Sequence, residues 1–382
     1  MELHLAEIFE SVGDLPSRCG LAPVVAAAFR AVRRCRTAAM GGHVARCENG
    51  HVVKAWYNAC RNRSCPRCAF YRTAKWLERQ AKTLLGCPHH HVIFTVPHEL
   101  NVLWEHNYEL LAELLFVCAR QALFTLAADA RYLGAQPGAI MALHTWGQQL
   151  FLHPHVHVLV TAGGIDALGR WVASPRRWFL PAEPLKRLFR GKLVAGLRQM
   201  SGRLRLPHGW GPDQIEALCR QLEHKRWNVQ VRERYEDPTA VLNYLGRYLN
   251  GGPIGESRLL AFDGHSVSFR YKHYRGENSD GVPHKVMTLP TDVFARRVLQ
   301  HVPPKGFHVV RGYGLYRRGG QTEGLRQKVR AELPVSPTLH QALTSRLAEE
   351  LPPRERPSRC PECAATVHLV WYPRGGPHRL AA

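Results

Sequence analysis

The chain has 382 residues and carries 52 Lys and Arg against 30 Asp and Glu, a formal charge of +22. An excess of that size is the footprint of a protein that neutralises phosphates, and nucleic acid is the expected partner. The opening MELHLAEIFE has acidic residues where an export signal would carry basic ones, and the most apolar stretch, Leu110 to Ala128, is broken by Glu113, Arg120 and Gln121. A cytoplasmic, nucleoid-associated chain without a membrane span is therefore expected, with its 11 cysteines reduced and binding metal rather than paired as disulfides.

In chain order, residues 1–86 are cysteine-rich and basic and are expected to form a small N-terminal domain that binds zinc and touches DNA, ending in a helix-like run from Tyr71 to Leu85. Within it, Cys47-ENG-His51 and Cys60-RNRS-Cys65-PR-Cys68 recur at separations that let a turn present two ligands to one tetrahedral ion, for which zinc is the natural occupant. Cys65 and Cys68 make one half-site. Cys47 and His51 are the expected second half, with Cys60 and Cys35 as substitutes or as ligands of a further ion. Arg61, Arg63 and Arg67 are interleaved with these ligands, so the metal would also fix basic groups for contact with phosphates.

At His91 the pattern changes to HVIFTV, a β-branched and aromatic run stopped by Pro97, which predicts a buried strand opening a second domain over residues 87–318. Helical periodicity covers 103 to 128. Strands are predicted at 139–146 and 154–161, joined by a short connection containing Gly147, and again at 227–232 and 267–272, with a largely helical, basic stretch at 182–223 between them. The order is α+β. Residues 319–382 read as a basic, partly flexible tail with an amphipathic segment around Pro337 to Leu351 and a pair, Cys360-PE-Cys363, that has no evident partner.

The run His153-Pro-His155-Val-His157 is the most informative. On a strand, alternation sends His155 and His157 to one face and Val156 and Val158 to the core, so two imidazoles converge on one point and fit a divalent metal. His144, on the neighbouring predicted strand, is the expected third ligand, with Gln148 as the alternative. No set of three spaced carboxylates suggests a two-metal nuclease, so a separate nucleophile is needed. Tyr244 and Tyr248 supply it: at i and i+4 on a helix both hydroxyls share a face, beside Arg247.

Several blocks together resemble the HUH rolling-circle transposases of the bacterial insertion-sequence-91 family, relatives of the common-region elements and Helitrons. They are CRTAAMGGHVARC and NACRNRSCPRC, HVIFTVPHELN, LGAQPGAIMALHTWGQQLFLHPHVHVLVTAGGI, VLNYLGRYLNGGPI and VLQHVPPKGFHVVRGYGLY, spread from about residue 35 to 316. The resemblance implies an HUH endonuclease domain, a central antiparallel sheet flanked by helices, preceded by the zinc module. It makes His155 and His157 ligands of Mg or Mn and Tyr244 and Tyr248 the two nucleophiles. It also implies rolling-circle transposition by nicking of single-stranded or hairpin-bearing element ends and target DNA, with Arg247 and Lys305 among the DNA contacts. Many members carry Cys-x2-Cys where this chain has Cys47 followed by Gly50-His51, so His51 must serve as the ligand there. A plasmid rolling-circle initiator or relaxase shares this chemistry, and a non-catalytic zinc-dependent DNA-binding regulator is a further reading. The zinc module and the VPPKGF block favour the transposase.

Overall fold

A computed structural model describes residues 3–174, 180–236, 252–273, 284–333 and 358–374. Tyr244, Arg247, Tyr248 and the predicted amphipathic segment at 337–351 lie outside the described residues.

The chain begins with helices α1 (Leu5–Ser11), α2 (Leu15–Arg18) and α3 (Pro23–Arg33), then a hairpin of β1 (Gly42–Cys47) and β2 (Val52–Tyr57), and α4 (Pro66–Ala81). Next come β3 (His89–Thr95), α5 (Asn101–Trp104), α6 (Tyr108–Ala128), β4 (Gln136–Trp146), β5 (Leu152–Ile165) and β6 (Trp171–Ala173). Helices α7 (Ala182–Gln199) and α8 (Pro212–His224) lead to β7 (Asn228–Tyr235). After residue 252 the elements are β8 (Leu259–Phe262), β9 (Ser266–Lys272), β10 (His284–Pro290), α9 (Thr291–Leu299), β11 (Val310–Gly314), α10 (Gly320–Glu332) and β12 (Val367–Tyr372).

The central sheet is antiparallel, in the order β11-β4-β5-β3-β7, with β6 added on β5. Alternation gives it two unlike faces. Val92 and Phe94, Met141 and Leu143, and Val156, Val158 and Val160 bury one face against α6, α7 and α8. On the opposite face, Ile140, Ala142 and Leu159 are covered by Leu84, Leu85, Leu315, Tyr316 and Val329, while the histidines sit further along the same strands. Helix α6 is apolar and long enough to cross a membrane by composition, but its Leu111, Leu115, Phe116, Ala119 and Leu123 are buried in this core.

The predicted helix over 103 to 128 is interrupted before α6, and the reason is local. Asn107 is buried, and its amide bonds to the Leu103 carbonyl (2.9 Å), the Arg205 carbonyl (2.8 Å) and the Arg205 N–H (2.8 Å), a side-chain alternative to helical bonding.

A second core joins segments far apart in sequence. Leu5, Ile8, Phe9, Phe29 and Val32 pack with Val267, Phe269, Phe294 and Val298, beside the three-stranded sheet β10-β9-β8. The N-terminal helices, with Cys35, Cys65 and Cys68, therefore share a core with residues between Ile254 and Val302, while Leu84 and Leu85 pack on the central sheet. The third sheet, β12-β1-β2, takes its outer strand from the predicted tail.

Phe94 is fully buried and meets Phe189 of α7 edge to face at 4.9 Å, and Phe189 meets Trp227 in the same way at 5.4 Å. Phe94→Ala should cost about 3–5 kcal/mol, read as a lowered urea midpoint with an unchanged slope, and Phe94→Leu distinctly less. Equal midpoints for wild type and the alanine variant would refute this placement of the core.

Candidate active site

Three histidines from two adjacent strands meet on the open face of the sheet. In the β4–β5 register His144 stands opposite His155 and Ala142 opposite His157. The ring centroids of His144 lie 5.4 Å from His155 and 4.6 Å from His157, and those of His155 and His157 are 4.8 Å apart. All three can turn one ring nitrogen into a common space, the donor atoms lying within 4.8 Å of one another.

Hydrogen bonds decide which nitrogen each presents. His155 Nδ1 is 2.6 Å from the His153 carbonyl, an acceptor only, so Nδ1 carries the proton and Nε2 is bare. His157 Nδ1 is 3.0 Å from His91 Nε2, and its Nε2 faces His155 Nε2 at 3.1 Å. Burial first, and then the neighbouring imidazoles, hold His155 and His157 well below the ordinary histidine range, so both are neutral at physiological pH. When His157 donates to His91, two lone pairs oppose each other at a separation that suits neighbouring ligands of one ion, each about 2.0–2.2 Å from it. The donor set fits a divalent cation. Gln148, the alternative third ligand, is turned away, its side-chain oxygen accepting from the Lys272 N–H at 3.3 Å.

His91 is the partner that the sequence reading passed over. It lies on β3 with the same parity as Ile93, the residue opposite His157, so its ring reaches His157 from the neighbouring strand. Burial, and then the Arg232 charge, push it down to about 3. The hairpin end that carries the cluster is clamped from the other side by Leu150, a fully buried residue of the second core with φ of 64°. The Leu150 carbonyl accepts from Gln300 Nε2 (2.8 Å) and His301 Nε2 (3.1 Å), and His301 Nδ1 meets the Thr145 hydroxyl at 3.1 Å.

The cysteines divide differently from expectation. Cys35, Cys60, Cys65 and Cys68 form one cluster, with Sγ–Sγ distances of 3.6 Å for Cys35–Cys68 and 3.5 Å for Cys60–Cys68. A tetrahedral zinc with Zn–S near 2.3 Å separates its sulfurs by about 3.8 Å, so this set suits zinc. Cys47 and His51, expected beside Cys65 and Cys68, lie instead with Cys360 and Cys363. The reason is the β1–β2 hairpin: Cys35 and Cys60 flank its base, while Cys47 and His51 sit at its tip, some 20 Å away for a six-residue strand.

Among the expected DNA contacts, Arg61 and Lys305 are exposed. Arg67 lies 3.9 Å from Glu256, and Arg63 donates to the Phe307 carbonyl at 3.1 Å. Arg63 and Arg72 line a cleft between the zinc module and the sheet, together with Tyr108, Trp146, Gly252 and His301. Burial lowers the Arg63 guanidinium from its ordinary range, and Arg72 adds to that.

The family model described as "Putative transposase" matches residues 138–323, and one described as a transposase zinc-binding domain matches residues 8–96. A relative bearing the first description, y4qJ of Sinorhizobium fredii, is 38% identical over 320 residues, 81% of this chain and 79% of its own. The transposase for insertion sequence element IS801 of Pseudomonas savastanoi pv. phaseolicola is 33% identical over 301 residues, 73% of this chain and 67% of its own. No solved structure matches.

Replacing His91 by Phe keeps a ring of similar size and removes the acceptor that orients His157. Affinity of the cluster for Mn, measured by calorimetric titration, should fall about 10–100-fold. An unchanged affinity would show that His91 only packs there.

Proposed function

The chain belongs to the insertion-sequence-91 family of transposases, and from that premise we propose that it nicks single-stranded DNA with a tyrosine nucleophile beside the histidine cluster and moves DNA by a rolling-circle route. The observation that carries this reading is the convergence of His144, His155 and His157 on one space.

His144, His155 and His157 would hold Mg or Mn, and the ion would supply positive charge to a phosphate oxygen during strand cleavage. The protein's own part is to orient the ligands and to bring a phenol to the phosphorus. Gly252 lines the cleft with Trp146, and the Trp146 ring stacks on His144 at 4.6 Å. Tyr244 and Tyr248 precede Gly252 in the sequence, and their i, i+4 spacing beside Arg247 supports their assignment as the nucleophiles.

In the cleavage step the phenolic oxygen gives its proton to water and bonds to phosphorus. The P–O3′ bond breaks, and the departing 3′ oxygen takes up a proton. The products are a 5′-phosphotyrosine and a free 3′-OH, and the reverse attack by a 3′-OH rejoins a strand with no outside energy source. With two tyrosines, two strand ends are held in turn. Arg63 and Arg72, like charges in one cleft, form an electropositive seat for a backbone phosphate leading to this site.

The test is cleavage of a labelled single-stranded oligonucleotide in Mn. His155→Ala with His157→Ala should abolish cutting while leaving DNA affinity within a few-fold of wild type, and cutting by the double variant in chelator would overturn the assignment. Tyr244→Phe and Tyr248→Phe should each still trap one oligonucleotide as a covalent adduct and yet fail to complete transposition. If one of the two variants transposes at the wild-type level, a single-tyrosine mechanism replaces this one.

Arg63→Ala should weaken binding of single-stranded DNA and reduce the slope of log affinity against log salt by about 0.7, the share of one phosphate contact. An unaltered slope would place the phosphate elsewhere.

A further inference from the structure

Cys47, His51, Cys360 and Cys363 come from opposite ends of the chain, and nothing in the histidine chemistry uses them. Cys47 ends β1 and His51 closes the turn into β2, where the Gly50 N–H donates to the Cys47 carbonyl at 2.9 Å and the Cys47 N–H to the His51 carbonyl at 3.0 Å. Cys360 and Cys363 occupy a second tight turn of similar form. There the Ala364 N–H donates to the Cys360 carbonyl and the Cys360 N–H to the Ala365 carbonyl, both at 2.9 Å, with Arg359 and Thr366 bridged across it. The two turns face each other. Cys47 Sγ lies 3.7 Å from Cys363 Sγ, and His51 Nδ1 lies 3.7 Å from Cys360 Sγ, across sequence separations of 316 and 309.

We propose that Cys47, His51, Cys360 and Cys363 are the ligands of a zinc ion additional to that of Cys35, Cys60, Cys65 and Cys68, and that this ion fastens the C-terminal segment to the N-terminal module. The distances carry it. A tetrahedral zinc with Zn–S near 2.3 Å and Zn–N near 2.0–2.1 Å places its sulfurs about 3.8 Å apart and sulfur and nitrogen about 3.5 Å apart. A disulfide would need about 2.04 Å.

The backbone agrees with the side chains. β12 pairs with β1 from Gly42↔Tyr372 to Cys47↔Val367, and the Glu48 N–H donates to the Thr366 carbonyl at 3.3 Å. The last matched pair of the ladder thus ends at a ligand, and the three-stranded sheet β12-β1-β2 has one metal cluster at the base of its hairpin and one at the tip. A two-turn site of this kind can form only when both ends of the chain are present, so its ion couples the two ends in folding.

The full-length protein should contain two zinc equivalents by elemental analysis, and Cys360→Ser with Cys363→Ser should contain one. Cobalt substitution gives an independent readout. Wild type should show a mixed thiolate–imidazole centre together with an all-thiolate one, and the double variant the all-thiolate spectrum alone. Limited proteolysis should then release the segment 358–374 from the variant and spare it in wild type. One zinc in wild type, two in the double variant, or a Cys47–Cys363 disulfide in the purified protein would each overturn the proposal.

Discussion

A slip of one residue of β4 against β5 would put His144 on the opposite face of the sheet from His155 and His157 and drive Met141 and Leu143 out of the packed side. The candidate site therefore rests on a register that it does not itself enforce. That register is fixed from the other face, where Ala139 opposes Val160, Met141 opposes Val158 and Leu143 opposes Val156, all of them buried. Each of the larger side chains among these, Met141, Leu143, Val156, Val158 and Val160, contributes about 1.5–3 kcal/mol through burial. The hydrophobic face holds the polar face in place.

The histidines carry the electrostatic consequence of that arrangement. Burial keeps them neutral, and hydrogen bonds from Nδ1 to the His153 carbonyl and toward His91 leave Nε2 of His155 and His157 directed at the same space. With His157 Nδ1 donating to His91, the two Nε2 lone pairs face each other, an arrangement that a cation between them favours. Polar groups placed in this way have a reason to be buried that core packing does not supply.

The zinc module is bound into the rest by more than its metal. Cys65 and Cys68 lie in one core with Phe9, Phe29, Phe269 and Phe294, and Leu150 brings the end of the β4–β5 hairpin into the same core. Folding around Cys35, Cys60, Cys65 and Cys68 is thereby coupled to the cleft beside the histidines through packed side chains. The same strain-tolerant turn that exposes the Leu150 carbonyl to His301 is fixed by that core.

Much of this was legible in the sequence because the signals are local. Alternation along AIMALHTW and PHVHVLVT predicted both strands, and with them the shared face of His155 and His157, since parity on a strand needs no knowledge of the neighbours. The apolar run before residue 128 likewise predicted a buried helix. Short metal-ligand spacings marked Cys65 with Cys68, Cys47 with His51 and Cys360 with Cys363 as pairs. What a sequence cannot give is which pair meets which, because that depends on the separation between the tip and base of the β1–β2 hairpin and on β12 returning to the free edge of β1 from more than 300 residues away. Tertiary structure alone also chose His144 over Gln148, supplied His91 as the partner of His157, and merged the N-terminal helices into a core with residues 254–302. Each of these follows from strand neighbours and packed faces, contacts between distant segments whose free energy appears only once the chain has closed on itself.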